Sequence, residues 1–485
     1  MAPTAQAGGY GRGARILSIA IGTTGLVTFA FFALASHALG PTLYGGVSVL
    51  WAVLFVVVSI IYRPIEQLLS RTIAQRRARG QVARHPLRVP AMIQLGFAAL
   101  FAVVALSERH ALVNGVFDGS HALYWILVGG VLAYAASYFA RGWLAGNERF
   151  ALYGGLVLCE ALSRFAFAFA VTVGITHGQT AVALGIAAAP AFSLAVVPWA
   201  LRRQLGRAPS AGDADLIADA ASADASAVAA DATAHEHAAI AGTDDDHALS
   251  LARGGRFALS VLVIMASEQA LLNLPVLTVK ATADAALAGA AFNILLIARA
   301  PLQLFQAIQT SLLPHLTRMH TRDGEQVFQR TVRITLLAIV AFSGAVALGL
   351  LAIGPQVMRF VFTGHHYARG GLVLVGLGMG LHLVAGTLNQ AALARDRAAL
   401  AAAAWLTAAV LFVAWLTAPI VSDQLLRVEL GYFGATGILS MLLYALYRRP
   451  LPSATGEQHR QESVTHRPSR AHAPPRPARP TPPRR

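Results

Sequence analysis

The sequence is poor in cysteine, lysine and acidic residues. It has one cysteine, Cys159, and one lysine, Lys280; every other basic residue among its 38 Lys and Arg is arginine, against 23 Asp and Glu. A single cysteine cannot form an intrachain disulfide, and no metal-binding pattern surrounds it, so we interpret it as a small buried hydrophobe. With 13% charged and 56% hydrophobic residues, the 485-residue chain is unlike a water-soluble protein, which must cover its surface with polar groups.

Signatures of soluble enzymes are also missing. The chain contains no P-loop, no Gly-x-Ser-x-Gly and no His-Glu-x-x-His sequence. The adjacent His365 and His366 lack a third ligand at metal-binding spacing, so we treat them as part of a loop. We therefore predict a protein that is not an enzyme and that holds no metal or organic cofactor.

What the chain has instead is a series of long apolar runs. A hydrocarbon core of ~30 Å needs roughly 20 helical residues, and runs of about this length recur along the chain. We predict an all-α membrane protein with twelve transmembrane helices. The predicted spans are 16–37, 45–63, 90–107, 122–140, 151–173, 180–201, 257–279, 284–311, 334–354, 371–392, 399–420 and 430–447.

Arginine is concentrated in every second gap between these spans. Under the positive-inside rule this alternation assigns the arginine-rich loops and both termini to the cytoplasm. The formal net charge of +15 reflects these loops and the tail, where it can meet anionic lipid headgroups, so we do not expect nucleic acid as a partner. The first span is too long for a signal peptide, and we expect an uncleaved helix.

Composition divides the chain into five parts. We predict a cytoplasmic N-terminal segment (1–15), a six-helix lobe (16–201), an acidic, Ala-rich disordered linker (202–255), a second six-helix lobe (256–447) and a disordered tail rich in Pro and Arg (448–485).

The two predicted lobes echo each other in sequence. RPIEQLL at 63–69 corresponds in position to RAPLQLF at 299–305, and LAGNERFA at 144–151 to LARDRAA at 393–399. Six spans separate the copies, and an even number gives both lobes the same orientation in the membrane. We therefore expect two parallel six-helix lobes around a central cavity.

Several loop segments resemble those of a known group of carriers. They are GPTLYG (40–45), PIEQLLSR (64–71), RGWLAGNERF (141–150), 301–314, and 354–367 with VFTG at 361–364. In sequence and in position relative to the spans, they resemble the polysaccharide-unit exporters of the multidrug/oligosaccharidyl-lipid/polysaccharide flippase superfamily. The similarity extends from residue 15 to residue 447.

This resemblance implies a carrier of the bacterial cytoplasmic membrane that moves a lipid-linked oligosaccharide between leaflets by alternating access. The O-antigen or capsule-unit branch fits best; a lipid II-type flippase and a drug or metabolite cation antiporter are the alternatives. Expected partners are the lipid-linked oligosaccharide, membrane lipids, and a polysaccharide polymerase or glycosyltransferases. A membrane glycan ligase or polymerase is disfavoured, because the outer loops predicted here are short. The energy source is an ion gradient of H⁺ or Na⁺, the membrane potential or removal of the product.

Charged residues inside the spans are the candidate site residues, because a charge at the bilayer centre costs ~2.5–3.5 kcal/mol on insertion scales. Glu160 and Arg164 are spaced i, i+4 on one helix face. They form either a cavity-lining pair, in which Arg164 contacts a pyrophosphate or an acidic sugar while Glu160 holds Arg164 or takes a proton, or a structural ion pair.

The seventh and eighth spans supply further polar residues. Gln269 and Asn273 share a helix face and suit sugar hydroxyls, or else hydrogen-bond neighbouring helices, and Glu268 is a candidate for ion coupling. Arg299 has no acid at i±4, so it must find a partner on another helix, bind a ligand phosphate or reach the interface.

The tenth span and the inner ends of the second and eighth spans complete the set. His382 and Asn389 share one helix face. His382 either couples transport to protons or forms a structural hydrogen bond with a neighbouring helix. We expect Arg63 and Glu66 to form an i, i+3 pair at an inner gate. Pro64 and Pro301 mark a hinge or a helix end.

Overall fold

The computed structural model describes residues 4–78, 87–205, 244–297, 299, 301–302, 325–395 and 397–449. Within these ranges the chain is helical, with one short π-helical turn at Leu112–Val116 and no strand. The main helices are α1 (Thr4–Ala38), α2 (Pro41–Ile61), α3 (Arg63–Ala78), α4 (Arg88–Ser107), α5 (His121–Gly146), α6 (Phe150–Thr172), α7 (Gln179–Leu205), α8 (Asp244–Thr282), α9 (Ala285–Ile297), α10 (Glu325–Val361), α11 (Arg369–Ala394), α12 (Ala398–Thr417) and α13 (Gln424–Arg448).

Ten helices among the described residues are long and apolar enough to cross a membrane, and two shorter apolar helices, Gln179–Leu194 and Ala285–Ile297, accompany them. Each of the twelve predicted spans overlaps one of these helices. The all-α membrane architecture predicted from the hydropathy pattern is therefore confirmed. The second half of the predicted span 284–311 lies largely outside the described residues.

The boundaries of several helices differ from those predicted. Helix α8 begins at Asp244 and α7 extends to Leu205, so helix continues into both ends of the predicted linker, whose centre (206–243) lies outside the described residues. Helix α13 begins at Gln424, six residues before the predicted span. Polar residues at the start of this helix lower the local hydropathy, so the apolar run from which the span was predicted begins later than the helix does.

The helix pairing repeats between the two halves of the chain. In the first half α1 packs on α6, and in the second half α8 packs on α12. These are the first and fifth, and the seventh and eleventh, of the predicted spans. The same ordinal pairing in both halves is what an internal repeat produces. Helices α2 and α8 pack against each other and join the halves, which we call the first lobe (α1–α7) and the second lobe (α8–α13).

Two local features set the positions of the polar side chains at the junction of α2, α3 and α5. Helix α2 ends at Ile61 and α3 begins at Arg63, so Pro64 occupies the second position of α3, where its missing N–H is not needed. Gly142 of α5 lies against the backbone of α3: a Cβ there would stand 2.8 Å from the carbonyl oxygen of Glu66. This close approach brings Glu66 to the polar face of α5.

Candidate functional site

A cluster of charged side chains lies inside the first lobe, around Glu160. The Glu160 side chain is 1% exposed and accepts hydrogen bonds from Arg141 and Ser137 of α5. Ser193 of α7 lies 3.5 Å away, and Nη1 of Arg164 lies 4.0 Å away. Glu160 is thus held by side chains of three helices, and its principal partner is Arg141 rather than the i+4 residue Arg164.

Arg164 contacts aromatic side chains as well as Glu160. Its Nη1 donates to the hydroxyl of Tyr134 at 2.8 Å, and its guanidinium lies 5.3 Å from the ring centroid of Trp51. The Nε atoms of Arg164 and Arg141 are buried without a hydrogen-bond partner among the described residues. Two guanidinium groups in this cluster therefore keep donor capacity.

Arg63 and Glu66 lie between this cluster and the second lobe. Tyr153 donates to Oε1 of Glu66 at 2.8 Å, and Glu66 is within electrostatic range of Arg63 and Arg141. Arg63 is attracted by Glu66 and also by Glu268 of the second lobe. Arg63 therefore lies within electrostatic range of carboxylates from both lobes.

A second cluster forms around Arg299 in the other lobe. Asn273 donates to Oε1 of Gln269 at 3.0 Å and accepts from Nη2 of Arg299 at 2.7 Å, and Arg299 also donates to the carbonyl of Leu272 at 2.6 Å. The guanidinium lies 4.9 Å from the ring centroid of Phe292, and its Nε has no hydrogen-bond partner in the described part of the chain. Arg299 has therefore found its partner on a neighbouring helix, and the shared face of Gln269 and Asn273 is confirmed.

His382 links this second lobe's polar groups to Glu268. Its Nε2 lies 3.9 Å from Oε1 of Glu268, and its Nδ1 lies 3.3 Å from the hydroxyl of Tyr432. Trp405 packs edge-on against His382 and donates from Nε1 to Asn389 at 3.2 Å, so His382 and Asn389 do share a face. The side chain of Glu268 is 20% exposed and that of His382 only 3%. Pro301 is helical, but its neighbours at 300 and 303–324 lie outside the described residues.

The lobes also touch near one end of the bundle, which we call the arginine-poor face; it carries loops 39–40, 117–120 and 362–368. The backbone N–H of Thr363 donates to Oγ of Ser36 at 2.9 Å, and Oγ1 of Thr363 donates to the carbonyl of Ser36 at 2.6 Å. Lys280 lies 2.5 Å from Asp118, whose backbone is left-handed with φ +48°. These contacts hold the lobes together at this face.

A buried polar chain crosses the lobe boundary beside them. Tyr44 of α2 donates to Oδ1 of Asn293 of α9, and Nδ2 of Asn293 donates to the hydroxyl of Tyr367 at 3.0 Å. Burial raises the pKa of Tyr367 to about 12, so its hydroxyl stays neutral at physiological pH. Closer to the bundle centre, Phe32 and Phe292 from opposite lobes pack with ring centroids 4.5 Å apart.

Sequence reasoning did not assign a role to Arg141 or Asn293. Arg141 stands within a quoted motif, but only the tertiary contact between α5 and α6 identifies it as the partner of Glu160. Asn293 is a lone polar residue in an apolar run, which is a usable signal. Glu429, a buried carboxylate of α13 that makes none of the contacts described above, lies just outside the predicted span 430–447. No group of three His, Cys, Asp or Glu suited to holding a metal occurs in the part of the chain described.

Comparison with known proteins identifies this architecture. No family model matches the chain. Two uncharacterized proteins of Mycobacterium tuberculosis, from strains CDC 1551 and H37Rv, are each 27% identical over 439 residues, covering 86% of this chain and 87% of each relative. A mutant of the Vibrio cholerae MATE transporter VcmN matches with a TM-score of 0.56 and 15% identity over 90% of this chain and 97% of its own. The chain has the fold of the MATE transporters.

Further solved structures agree on the MATE fold. The eukaryotic MATE transporter AtDTX14 gives a TM-score of 0.61 at 11% identity, over 94% of this chain and 99% of its own. An outward-facing multidrug resistance MATE family transporter of the MOP superfamily gives 0.58 at 12% identity, over 90% and 94%. With sequence identities of 11–15%, these structural matches establish the fold alone. Together with the membrane-spanning helices, it makes the chain a multi-pass membrane protein.

Proposed function

We propose that the chain is a flippase that moves an isoprenoid-pyrophosphate-linked oligosaccharide across a bacterial cytoplasmic membrane by alternating access. The product would be used for cell-surface polysaccharide synthesis. The MATE fold supports a transporter, and the resemblance of the loop segments to polysaccharide-unit exporters supports this substrate class. The arginine-rich loops then face the cytoplasm, and the contacts at the arginine-poor face close the outer side.

The observation that carries the proposal is the set of arginines within the membrane-spanning helices. Arg141, Arg164 and Arg299 each keep an Nε–H without a hydrogen-bond partner among the residues described. Placing such charges in a membrane costs ~2.5–3.5 kcal/mol each on insertion scales, a cost that a ligand contact would offset. A guanidinium fork binds phosphate oxygens bidentately, which an ammonium or an amide does not do.

The charge balance of the two clusters favours an anionic substrate over an organic cation. The charged members are four arginines and three glutamates: Arg63, Arg141, Arg164, Arg299, Glu66, Glu160 and Glu268. The excess of positive charge suits a pyrophosphate headgroup. The amides of Gln269, Asn273 and Asn389 supply donors and acceptors for sugar hydroxyls, while the isoprenoid chain remains in the bilayer.

Glu268 and His382 lie close enough together to share a proton, which suits them to proton coupling. Glu268 is the more exposed of the two, and it is attracted by Arg63 across the lobe boundary. A change in the protonation of Glu268 would therefore alter an interaction between the lobes. We propose Glu268 and His382 as the ion-coupling pair, with Arg63 and Glu66 at the inner gate.

The test is flipping of a fluorescent undecaprenyl-pyrophosphate-linked oligosaccharide in proteoliposomes, followed by the access of an impermeant quencher. We expect the wild type to expose the sugar on the opposite leaflet. Arg164→Gln and Arg299→Ala should slow flipping more than tenfold. Arg109→Ala, which removes an exposed arginine 5.7 Å from the ring centroid of Trp125, is the matched control and should flip at the wild-type rate. Wild-type flipping by both site variants would refute the assignment.

The alternative is a MATE-like drug or metabolite antiporter, favoured by the multidrug transporters that share the fold. It predicts proton-driven ethidium transport by the same proteoliposomes, with loss of transport in Glu268→Gln. Ethidium transport without flipping of the sugar lipid would decide for the antiporter. A lipid II-type flippase would instead prefer a lipid-linked muropeptide over the oligosaccharide.

A further inference from the structure

Glu160 occupies the place that an anionic ligand would take between two arginines. Arg141 donates to its Oε2, and Arg164 lies 4.0 Å from the same oxygen. The side chains of these two arginines are 11% and 5% exposed, and the Nε–H of each has no hydrogen-bond partner among the described residues. Both guanidinium groups can therefore bind a second anion or exchange Glu160 for another anion.

We propose that Glu160 is an exchangeable counter-ion. The diphosphate of the substrate takes its place at Arg141 and Arg164, and the displaced carboxylate takes up one proton. The inference rests on the proposed function, because it requires a substrate with a diphosphate group. It makes binding of the substrate and uptake of a proton one linked event.

The charge balance explains why a proton must enter. One carboxylate between two guanidinium groups leaves the cluster with a single positive charge. A diphosphate diester carries two negative charges, so its binding beside an ionised Glu160 would leave one negative charge uncompensated in a buried site, which is strongly unfavourable. Protonation of Glu160 makes the cluster neutral. The new carboxyl O–H can then donate to the hydroxyl of Ser193 or Ser137.

Glu160 is the group that takes this proton, because it is the carboxylate that the diphosphate displaces from Arg141. Among the described residues, the titratable, charged and hydroxyl groups that interact with Glu160 come from four helices. They are Arg141, Ser137, Tyr134 and Tyr138 on α5, Cys159 and Arg164 on its own helix, Ser193 on α7 and, more distantly, Glu66 on α3. Helix α1, which packs on α6, carries no charged residue between 19 and 36. Glu66 accepts from Tyr153 and is attracted by Arg63, and the proposed exchange removes neither of these partners.

Proton linkage fixes the direction of the pH effect. A ligand whose binding takes up a proton binds more tightly as the pH falls. A glutamine at position 160 keeps a carbonyl oxygen for Arg141 and Ser137 but carries no charge to be displaced. Glu160→Gln should therefore bind the diphosphate at least as tightly as the wild type and without dependence on pH. A structural ion pair predicts the opposite, because loss of the carboxylate would loosen both arginines.

The experiment is calorimetric titration of the wild type in nanodiscs with the undecaprenyl-pyrophosphate-linked oligosaccharide, a diphosphate diester that does not itself titrate near neutral pH, in two buffers of different ionisation enthalpy. We expect uptake of about one proton per diphosphate bound by the wild type and none by Glu160→Gln. Glu429→Gln, which removes a buried carboxylate of α13, is the control and should keep the wild-type proton uptake.

Each outcome decides a different part of the account. Binding by the wild type without proton uptake, or weakened binding by Glu160→Gln that still varies with pH, would overturn the exchange and leave the flippase proposal standing. Failure of the wild type to bind the undecaprenyl-pyrophosphate-linked oligosaccharide would overturn both. If Glu160→Gln does not fold, the proton count of the wild type alone settles the question.

Discussion

Gly45 of α2 and Gly289 of α9 meet backbone to backbone across the lobe boundary. A Cβ added at Gly289 would stand 3.1 Å from the Cα of Gly45, and one added at Gly45 would stand 1.7 Å from the carbonyl oxygen of Ala285. The second distance is an overlap with main chain, which cannot move aside as a flexible side chain can. The closed arginine-poor face therefore requires glycine at position 45.

We predict that Gly45→Ala opens the arginine-poor face without unfolding either lobe, because each lobe keeps its own packing. Every 1.4 kcal/mol of strain in the closed state shifts its ratio to the open state about tenfold. The reporter is Ser48→Cys in a Cys159→Ala background, since Ser48 is fully buried on α2. An impermeant maleimide should label this cysteine several-fold faster when Gly45→Ala is added.

The neighbouring substitution Gly46→Ala is the matched control for this test. A Cβ at Gly46 would meet Oε1 of Gln179 at 2.8 Å, the far end of a flexible side chain that can move. Its labelling rate should stay near that of the parent. Equal labelling of the two alanine variants would show that the contact between α2 and α9 does not hold the closed state.

Tyr44→Phe should open the same face by a different route. The change removes the hydroxyl that donates to Asn293 and leaves a buried amide oxygen unsatisfied, at a cost of ~1–3 kcal/mol in the closed state. The same cysteine reporter should label faster. Tyr124→Phe is the control, because Tyr124 donates to Ala105 within a single lobe. Faster labelling in both variants would indicate general loosening rather than opening between lobes.

The ion pair between Lys280 and Asp118 should contribute much less. The side chain of Asp118 is 58% exposed, and solvent screens such pairs to about 0–1 kcal/mol. We expect Asp118→Asn to raise the labelling rate only slightly at low salt and not at all in concentrated salt. A large effect that persists in salt would assign the pair a role beyond surface attraction.

Asn273→Asp should inactivate the site around Arg299 while preserving its geometry. The new carboxylate would replace the amide that now accepts from Nη2 of Arg299, so the guanidinium would be neutralised by the protein itself. We expect flipping of the pyrophosphate-linked oligosaccharide to fall more than tenfold. Asn147→Asp, at the end of α5, serves as control, and equal flipping by both variants would remove Arg299 from the substrate path.

Features that lie within a single helix, such as spans and shared faces, could be predicted from the sequence. Contacts between side chains of two different helices could not. Hydropathy placed the spans, and helical spacing placed Gln269 with Asn273 and His382 with Asn389. The same spacing suggested Arg164 as the partner of Glu160, whereas the nearer arginine, Arg141, comes from a neighbouring helix. A crossing of two helices has no fixed sequence separation, so a periodicity within either helix cannot reveal it.

The contacts between lobes were also beyond sequence reasoning. The segment containing Gly45 resembles a loop of polysaccharide-unit exporters, but its role comes from the main chain of α9, about 240 residues away in sequence. Asn293 is a single amide in an apolar helix and has many possible partners, so only the packing selects Tyr44 and Tyr367.

The most direct test of the account compares two lipids that differ only in the diphosphate. One is the undecaprenyl-pyrophosphate-linked oligosaccharide, and the other is the same oligosaccharide joined to the isoprenoid without phosphate. We predict that proteoliposomes containing the wild type flip the first much faster than the second, and that Arg299→Ala removes the difference. Equal flipping of both lipids by the wild type would contradict a carrier that recognises its substrate through buried arginines.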